Sequence, residues 1–217
     1  MNQRAPVTIS LIFLSLFSTT AFGQDLEFYL SGQAGLAFMN DAATTDSATP
    51  GQTLDLGFDS GIALVGAFGA RRDQYRTDFE LGYQSHDLDT VGVSGMTVSV
   101  AGTGISGDVG IITGLVNVYY DMGIGHGLTP YLTAGMGFAN IDTSITIVDT
   151  LGATVANFSD SDTAFAYQFG AGVGYDLSER VTLDLRYRYL GASDPEFGTV
   201  ISEFDSHNVL FGLRFDF

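Results

Sequence analysis

The sequence predicts an all-β chain folded as an eight-stranded antiparallel up-and-down transmembrane β-barrel. Three observations carry that prediction. Apolar and polar residues alternate with period 2 through eight successive segments. The connections between those segments are alternately long and short. Oppositely charged residues recur within the polar faces, interleaved with Gly and Ala.

Composition agrees with a chain built of strands and turns. Of 217 residues, 45 % are hydrophobic and only 15 % charged, against about 25 % in ordinary soluble domains. Gly (28), Phe (17) and Tyr (10) are abundant, which favours strands and turns over helices. Mean hydropathy is positive, yet no internal stretch reaches the roughly 18 continuous apolar residues of a membrane helix. The formal charge of −17 excludes nucleic acid as a partner, because nothing here replaces counterions along a phosphate backbone. Cysteine is absent, so the chain has no disulfide and no thiolate metal site. Lys is absent too; every basic residue other than His is Arg.

Residues 1–23 read as a cleaved signal peptide. Arg4 gives the positive end, Val7 to Phe17 the apolar stretch and Ala21-Phe22-Gly23 a small-x-small cleavage site. Residues 24–217 then form one exported barrel domain.

The first segment, residues 25–39, sets Leu26, Phe28, Leu30, Ala34, Leu36 and Phe38 against Glu27, Tyr29, Ser31 and Gln33. The second, 56–70, sets Phe58, Ile62, Leu64 and Phe68 against Asp59, Gly61 and Ala63. A tight turn at 71–74 leads to the third, 75–86, where Tyr75, Thr77, Phe79, Leu81 and Tyr83 alternate with Arg76, Asp78, Glu80, Gly82 and Gln84. The fourth, 108–122, is apolar on both faces, and only Asn117 and Asp121 mark a wet side. The fifth, 128–140, is diluted by Gly and Ala, so its register stays open as well. In the sixth, Phe165, Tyr167, Phe169, Ala171, Val173, Tyr175 and Leu177 oppose Ala164, Ala166, Gln168, Gly170, Gly172, Gly174 and Asp176. The seventh, 181–190, sets Val181, Leu183, Leu185, Tyr187 and Tyr189 against Thr182, Asp184, Arg186 and Arg188. The eighth, 205–217, sets Val209, Phe211, Leu213, Phe215 and Phe217 against Asn208, Leu210, Gly212, Arg214 and Asp216. Long loops are expected at 40–55, 87–107, 141–160 and 191–204; alternation within 87–107 extends strands beyond the membrane. Pro50, Pro130 and Pro195 fall in loops or at a strand start, where a missing donor is tolerated.

A soluble barrel alternates as well, with its apolar side chains inward. Three features turn the greasy face outward instead. The polar face carries Glu27, Asp59, Arg76, Asp78, Glu80, Asp184, Arg186, Arg188 and Arg214 among Gly35, Gly61, Gly170, Gly172 and Gly174, as a narrow filled lumen requires. Tyr75, Tyr83, Tyr120, Tyr175, Tyr187 and Tyr189 lie toward strand ends, where interfacial girdles sit. Three short turns oppose four long loops; Arg71, Arg72 and Arg180 lie in the turns and no basic residue lies in the long loops. In hydrocarbon every backbone group must be paired internally, so the sheet must close, and eight strands leave room only for side chains inside.

The stretches "GLVNVYYDMG" (114–123), "TPYLTAGMGFA" (129–139), "FAYQFGAGVGYDLSERVTLDLRYRYLG" (165–191) and the terminal "NVLFGLRFDF" resemble the small outer-membrane β-barrels of Gram-negative bacteria, the group of OmpA- and OmpX-like barrels and Opa-like, porin-family surface proteins. The resemblance implies location in the cell outer membrane, contact with outer-membrane lipids and lipopolysaccharide, and recognition by the β-barrel assembly machinery through the C-terminal strand ending at Phe217. It also implies a monomer. A peptidoglycan-binding domain of the kind that follows some such barrels is not expected here, and with it no direct cell-wall attachment.

For catalysis the chain offers three histidines, His86, His126 and His207. His126 sits in a Gly-rich turn, and Ser206-His207 lacks the His-x-Ser order of lipid A deacylases; His86, between Ser85 and Asp87, reads as a polar residue where a strand meets a loop. The Arg76/Asp78/Glu80 and Asp184/Arg186/Arg188 sets read as interior ion pairs. No catalytic, cofactor-binding or metal-ligating residue is assigned, because the acidic loops lack the spacing of a calcium-binding hand. The expectation is a non-enzymatic barrel with a structural or surface-interaction role; the alternatives are a narrow channel for ions or small solutes and a lipid A-modifying enzyme.

Overall fold

The structure is a computed structural model that describes residues 26–39, 42–46, 53–93, 96–100, 103–148, 154–193, 196–197, 200–201 and 204–217. The signal segment at 1–23, Pro50 and Pro195 lie outside the described residues. Every regular element among them is a strand: β1 (Glu27–Met39), β2 (Ala42–Asp46), β3 (Thr53–Phe58), β4 (Gly61–Arg72), β5 (Tyr75–Val93), β6 (Met96–Ser99), β7 (Ile105–Asp121), β8 (Leu128–Val148), β9 (Thr154–Ser178), β10 (Val181–Ala192), β11 (Glu196–Phe197), β12 (Val200–Ile201) and β13 (Phe204–Asp216).

Eight of these strands close a ring. Going round, β1, β4, β5, β7, β8, β9, β10 and β13 pair antiparallel with their neighbours, and β13 returns to β1 through pairs such as Leu36↔Val209 and Leu30↔Phe215. Closure leaves no open edge in the wall, the condition hydrocarbon imposes on a spanning sheet. Register is fixed by parity, since a slip of one residue would exchange lumen and lipid faces. Leu30, Phe68 and Phe211 stand 54, 51 and 56 % exposed on the outside, whereas Arg188, Glu80 and Asn117 are fully buried inside. Soluble folds do not expose such a continuous belt of large apolar side chains.

The two registers the sequence left open are settled by the same parity. In β7, Ile111, Thr113, Leu115, Asn117, Tyr119 and Asp121 point inward, in step with the Asn117/Asp121 signal. In β8 the inward row includes Tyr131, Thr133, Ala139 and Ile141. Pro130 sits at the start of β8, as expected.

Three turns at one end are short. Asp73 adopts φ 54° in the first; Gly125, His126 and Gly127 take φ 83°, 61° and 74° in the second; the third is Glu179-Arg180. Left-handed backbone favours Gly and short polar residues, which is why these sequences end their strands here.

The other end differs from expectation. Much of the four long loops is β-structure. β8 and β9 continue as one hairpin from Asn140↔Thr163 to Val148↔Thr154, so 141–160 is a ladder over most of its length. β5 runs on past His86 and leaves β7 beyond Asp87↔Asp108; above that point it pairs with β3 and β6, and β3, β2, β12 and β11 follow in order. The wall thus parts into two sheets at its outer end, one β11-β12-β2-β3-β5-β6 and one β7-β8-β9. The expected second segment is interrupted for the same reason: Asp59 and Ser60 stand outside any strand, and Phe58 belongs to β3, not to the barrel run beginning at Gly61. Asp59 and Glu27 are correspondingly exposed at strand ends and are not lumenal charges of mid-strand.

Candidate functional site

The site that period-2 alternation builds is the lumen itself. Near the short-turn end, Arg76 makes a two-pronged pair with Asp121, Nε to Oδ2 at 2.7 Å and Nη2 to Oδ1 at 2.9 Å. Its guanidinium lies over the rings of Tyr119, Tyr131 and Tyr29 at 4.3, 4.9 and 5.6 Å. A planar cation suits both contacts, which a lysine would not reproduce. Tyr29 Oη donates to Asp78 Oδ2 at 2.9 Å and Tyr131 Oη to Asp184 Oδ1 at 2.6 Å, while Gln33 Nε2 donates to the same Asp184 oxygen. Arg214 lies 3.9 Å from Asp184 and donates to Thr182 Oγ1.

Mid-lumen centres on Glu80. Its Oε2 accepts from Arg186 Nη1 at 2.9 Å and its Oε1 from Arg188 Nη1 at 2.7 Å. Asn117 Nδ2 donates to both Asp78 and Glu80 and its Oδ1 accepts from Gln168 Nε2; Arg188 Nη2 donates to Asn208 Oδ1. Glu80 and Arg188 are 0 % exposed and Arg186 2 %. Charges so deeply buried persist only when paired and hydrogen-bonded, and these are. Glycines make room for the large groups: a Cβ on Gly172 would strike the Tyr131 ring, and one on Gly135 the Asn117 amide.

Above this network the lumen turns apolar. Ser206 Oγ donates to Gln84 Oε1 at 3.2 Å, and His86 Nε2 stands 3.5 Å from the same oxygen. Beside them lie Ile111, the partner of Gln84, and Leu190, the partner of Ser206; with Leu115, Ala139, Ile141 and Ala166 they pack as an apolar cluster that runs toward the outer end. The interior is therefore two-storeyed, with charges toward the short turns and hydrocarbon toward the long connections.

The Arg76/Asp78/Glu80 and Asp184/Arg186/Arg188 sets meet in this one network. Each set comes from a single strand, and alternate residues of one strand share a face; their partners, however, come from other strands. Arg76 pairs with Asp121 of β7, not with Asp78 or Glu80, and Arg186 and Arg188 pair with Glu80 of β5. Tyr119 and Tyr131 escaped the sequence reading as lumenal groups. Tyr119 was recoverable, because it shares parity with Asn117 and Asp121; Tyr131 had no polar neighbour of known side to fix it. The histidines do not converge. His86 faces inward with Nδ1 3.3 Å from the Asp59 carbonyl oxygen, His126 is in a short turn, and His207 faces out with Nδ1 2.6 Å from Tyr187 Oη. Ser85 and Asp87 point away from His86, as strand neighbours must. Ser206 and His86 approach a common oxygen, and both are buried, at 0 and 1 % exposure. Among the described residues no cluster of three or more His, Cys, Asp or Glu is arranged to hold a metal ion.

A closed eight-strand ring with lipid-type side chains outside and paired charges inside is the architecture of an outer-membrane barrel, and the chain's relatives agree. The family model for the outer membrane protein beta-barrel domain matches residues 9–217. The chain belongs to this family. As a member, the barrel resides in the outer membrane of Gram-negative bacteria. Among solved structures it resembles Neisserial surface protein A, with a TM-score of 0.53 and 18 % identity over 89 % of this chain and 100 % of that one. It also resembles the outer membrane protease OmpT from Escherichia coli, with a TM-score of 0.50 and 11 % identity over 89 % and 95 %. At such identities the likeness is one of fold. In sequence it is 30 % identical over 88 residues to outer membrane protein PagN of Salmonella typhimurium, covering 41 % of this chain and 37 % of PagN. An uncharacterized protein of Brucella abortus is 31 % identical over 132 residues, 48 % of this chain and 46 % of that protein. The chain spans less than half the length of these relatives. Surface proteins and a protease thus share this barrel, so fold alone does not choose a role.

Proposed function

We propose that this barrel is a non-enzymatic, structural and surface-interaction protein, a filled membrane anchor that presents two β-sheets outside the cell. One observation supports the reading: the Glu80–Arg186–Arg188 cluster fills mid-lumen with buried, paired side chains, as a structural plug would. The interaction surface is then the extracellular structure, where Asp87, Asp89, Asp108, Asp142 and Asp160 are exposed and the sequence supplies no Lys or Arg. Its partners are accordingly expected to be cationic, or bridged by cations.

The test is crosslinking on intact cells with the complete protein and with variants shortened in 40–55, 87–107, 141–160 and 191–204, run beside planar-bilayer recordings. The expected result is a crosslinked partner that disappears with the shortened variants, and a silent bilayer. Regular conductance steps, or a changed lipid A mass in expressing cells, would overturn the reading. Conductance steps would support the narrow-channel alternative, which has its own structural basis: Gln84 Nε2, Arg186 Nε and Nη2, Arg188 Nε and Arg214 Nε are buried with no hydrogen-bond partner among the described residues and would be met by water or a small ion.

A further inference from the structure

The lipid-facing wall has a gap where β13, β1, β4 and β5 run side by side. Gly32 pairs with Leu213 on one side and Gly66 on the other, and Gly66 pairs with Leu81. Two glycines therefore stand together on the outward row, and a Cβ added at either would meet nothing within 4 Å. The result is a trough of about 760 Å³ bounded by Leu64, Leu81, Phe211 and Leu213. It is an open trough on the outer wall, not an enclosed cavity. Its lining is apolar and its position is inside the hydrocarbon belt, so its occupant is hydrocarbon.

An independent feature lies directly below. The outward row of β4 continues from Gly66 through Phe68 and Ala70 to Arg72, whose side chain is 48 % exposed and lies 4.0 Å from Asp73. Six residues at about 3.3 Å span roughly 20 Å along the strand. With the barrel's usual tilt of about 40° this is about 15 Å along the membrane normal, half of a roughly 30 Å core. The trough then lies near mid-bilayer and Arg72 at the headgroup boundary. Between them Phe68 stacks on Phe28 at 6.0 Å and meets Phe217 at 6.4 Å, an apolar bed without polar interruption. Beside Arg72, the Tyr75 and Tyr120 rings lie 5.5 Å apart in the interfacial position. The described Arg side chains outside the lumen, Arg71, Arg72 and Arg180, all belong to this end.

We propose that this wall binds one anionic glycerophospholipid of the periplasmic leaflet, with an acyl chain in the Gly32/Gly66 trough and the phosphate against the Arg72 guanidinium, a planar donor set suited to phosphate. The site is independent of the extracellular partner discussed above.

Native mass spectrometry of the folded barrel, released from detergent after equilibration with defined lipid, tests the assignment. The probes are phosphatidylglycerol, phosphatidylcholine of the same chain length and glycerol 3-phosphate. The variants are Gly66→Leu, which fills the trough, Arg72→Gln, which removes the cation, and Gly110→Leu as control. Gly110 is an outward glycine of β7 away from the trough, and its Cβ would likewise meet nothing within 4 Å. Heat-modifiable gel migration checks that each variant is folded. One phosphatidylglycerol is expected to survive activation on the wild type and on Gly110→Leu, with at least a fivefold loss for Gly66→Leu, for Arg72→Gln and for phosphatidylcholine. Equal retention of the two lipids, or undiminished retention by folded Gly66→Leu, would overturn the site. Retention of glycerol 3-phosphate alone would reduce it to a phosphate contact and overturn it as a lipid site.

Discussion

Glu80 is the side chain on which most interior groups depend. Its removal in Glu80→Ala leaves Arg186 and Arg188 buried with no counter-charge, and a loss of about 3–5 kcal/mol is expected in urea unfolding from lipid vesicles. Replacing Glu80, Arg186 and Arg188 together by Leu, Met and Met removes the charge with both partners, so the triple variant should recover most of the loss that Glu80→Ala shows. Recovery of nothing would show that the network acts through shape and not through charge. Two glycines of β1 give a second contrast. A Cβ at Gly35 would collide with the Val209 carbonyl oxygen across the closing β1–β13 seam, whereas Gly32 opens on empty space. Gly35→Ala should cost about 1–3 kcal/mol and Gly32→Ala under about 0.5 kcal/mol in the same assay. At this scale the sequence was a fair guide to which side chains turn inward, because parity propagates along a strand from any one residue of known side. It gave no guide to partners: nothing in the spacing says that Arg188 of β10 meets Glu80 of β5, since that pairing crosses the lumen.

The elements divide by what holds them. Barrel segments of β8 and β9 are paired on both sides and carry lumen contacts, down to Ile141 of the apolar cluster; their outer hairpin, beyond Ser144 and Ser159, is built on its ladders. Replacing 145–158 by Asn-Gly would rejoin Ser144 to its partner Ser159 through a two-residue turn suited to such hairpins. The barrel should keep its heat-modifiable migration and its unfolding midpoint to within about 0.5 kcal/mol, because no lumen residue is touched; collapse of the barrel would show that the outer sheets fold it. The terminal strand tests a different dependence. Phe217 faces outward, packs on Phe68 and donates its N–H to the Phe28 carbonyl oxygen at 2.9 Å. Phe217→Ala keeps that backbone bond, so it should refold in detergent nearly as well as the wild type. If the assembly machinery reads the terminal aromatic, the amount in cellular outer membranes should nevertheless fall severalfold. The sequence revealed all eight barrel strands and the three tight turns, where the apolar belt and Gly or Asp punctuation are strong. It understated the outer strands, because their apolar rows, such as Ile141, Ile145 and Ile147, are short and interrupted by Thr, Ser and Asp.

For the whole molecule, the decisive property is that its apolar surface is outside. The barrel should require detergent or lipid to stay dispersed and folded, and a stable native fold in plain buffer would be incompatible with the arrangement described. The ends are electrically distinct as well, acidic at the end of the long connections and carrying Arg71, Arg72 and Arg180 at the other. Closure by β1 and β13 makes the first and last strands neighbours, so a defect in either opens the whole ring.

By itself the sequence determined strand number, which face meets lipid, the direction of the long and short connections and the presence of buried charges. These follow from a period of 2, from turn chemistry and from the cost of unpaired backbone in hydrocarbon, all of which act along the chain. The tertiary structure decided how charges pair across the lumen, that the lumen is polar below and apolar above, that the wall parts into two outer sheets, and that Gly32 and Gly66 adjoin. Each of these depends on the stagger between strands distant in sequence, a distance relation that no pattern within one strand records.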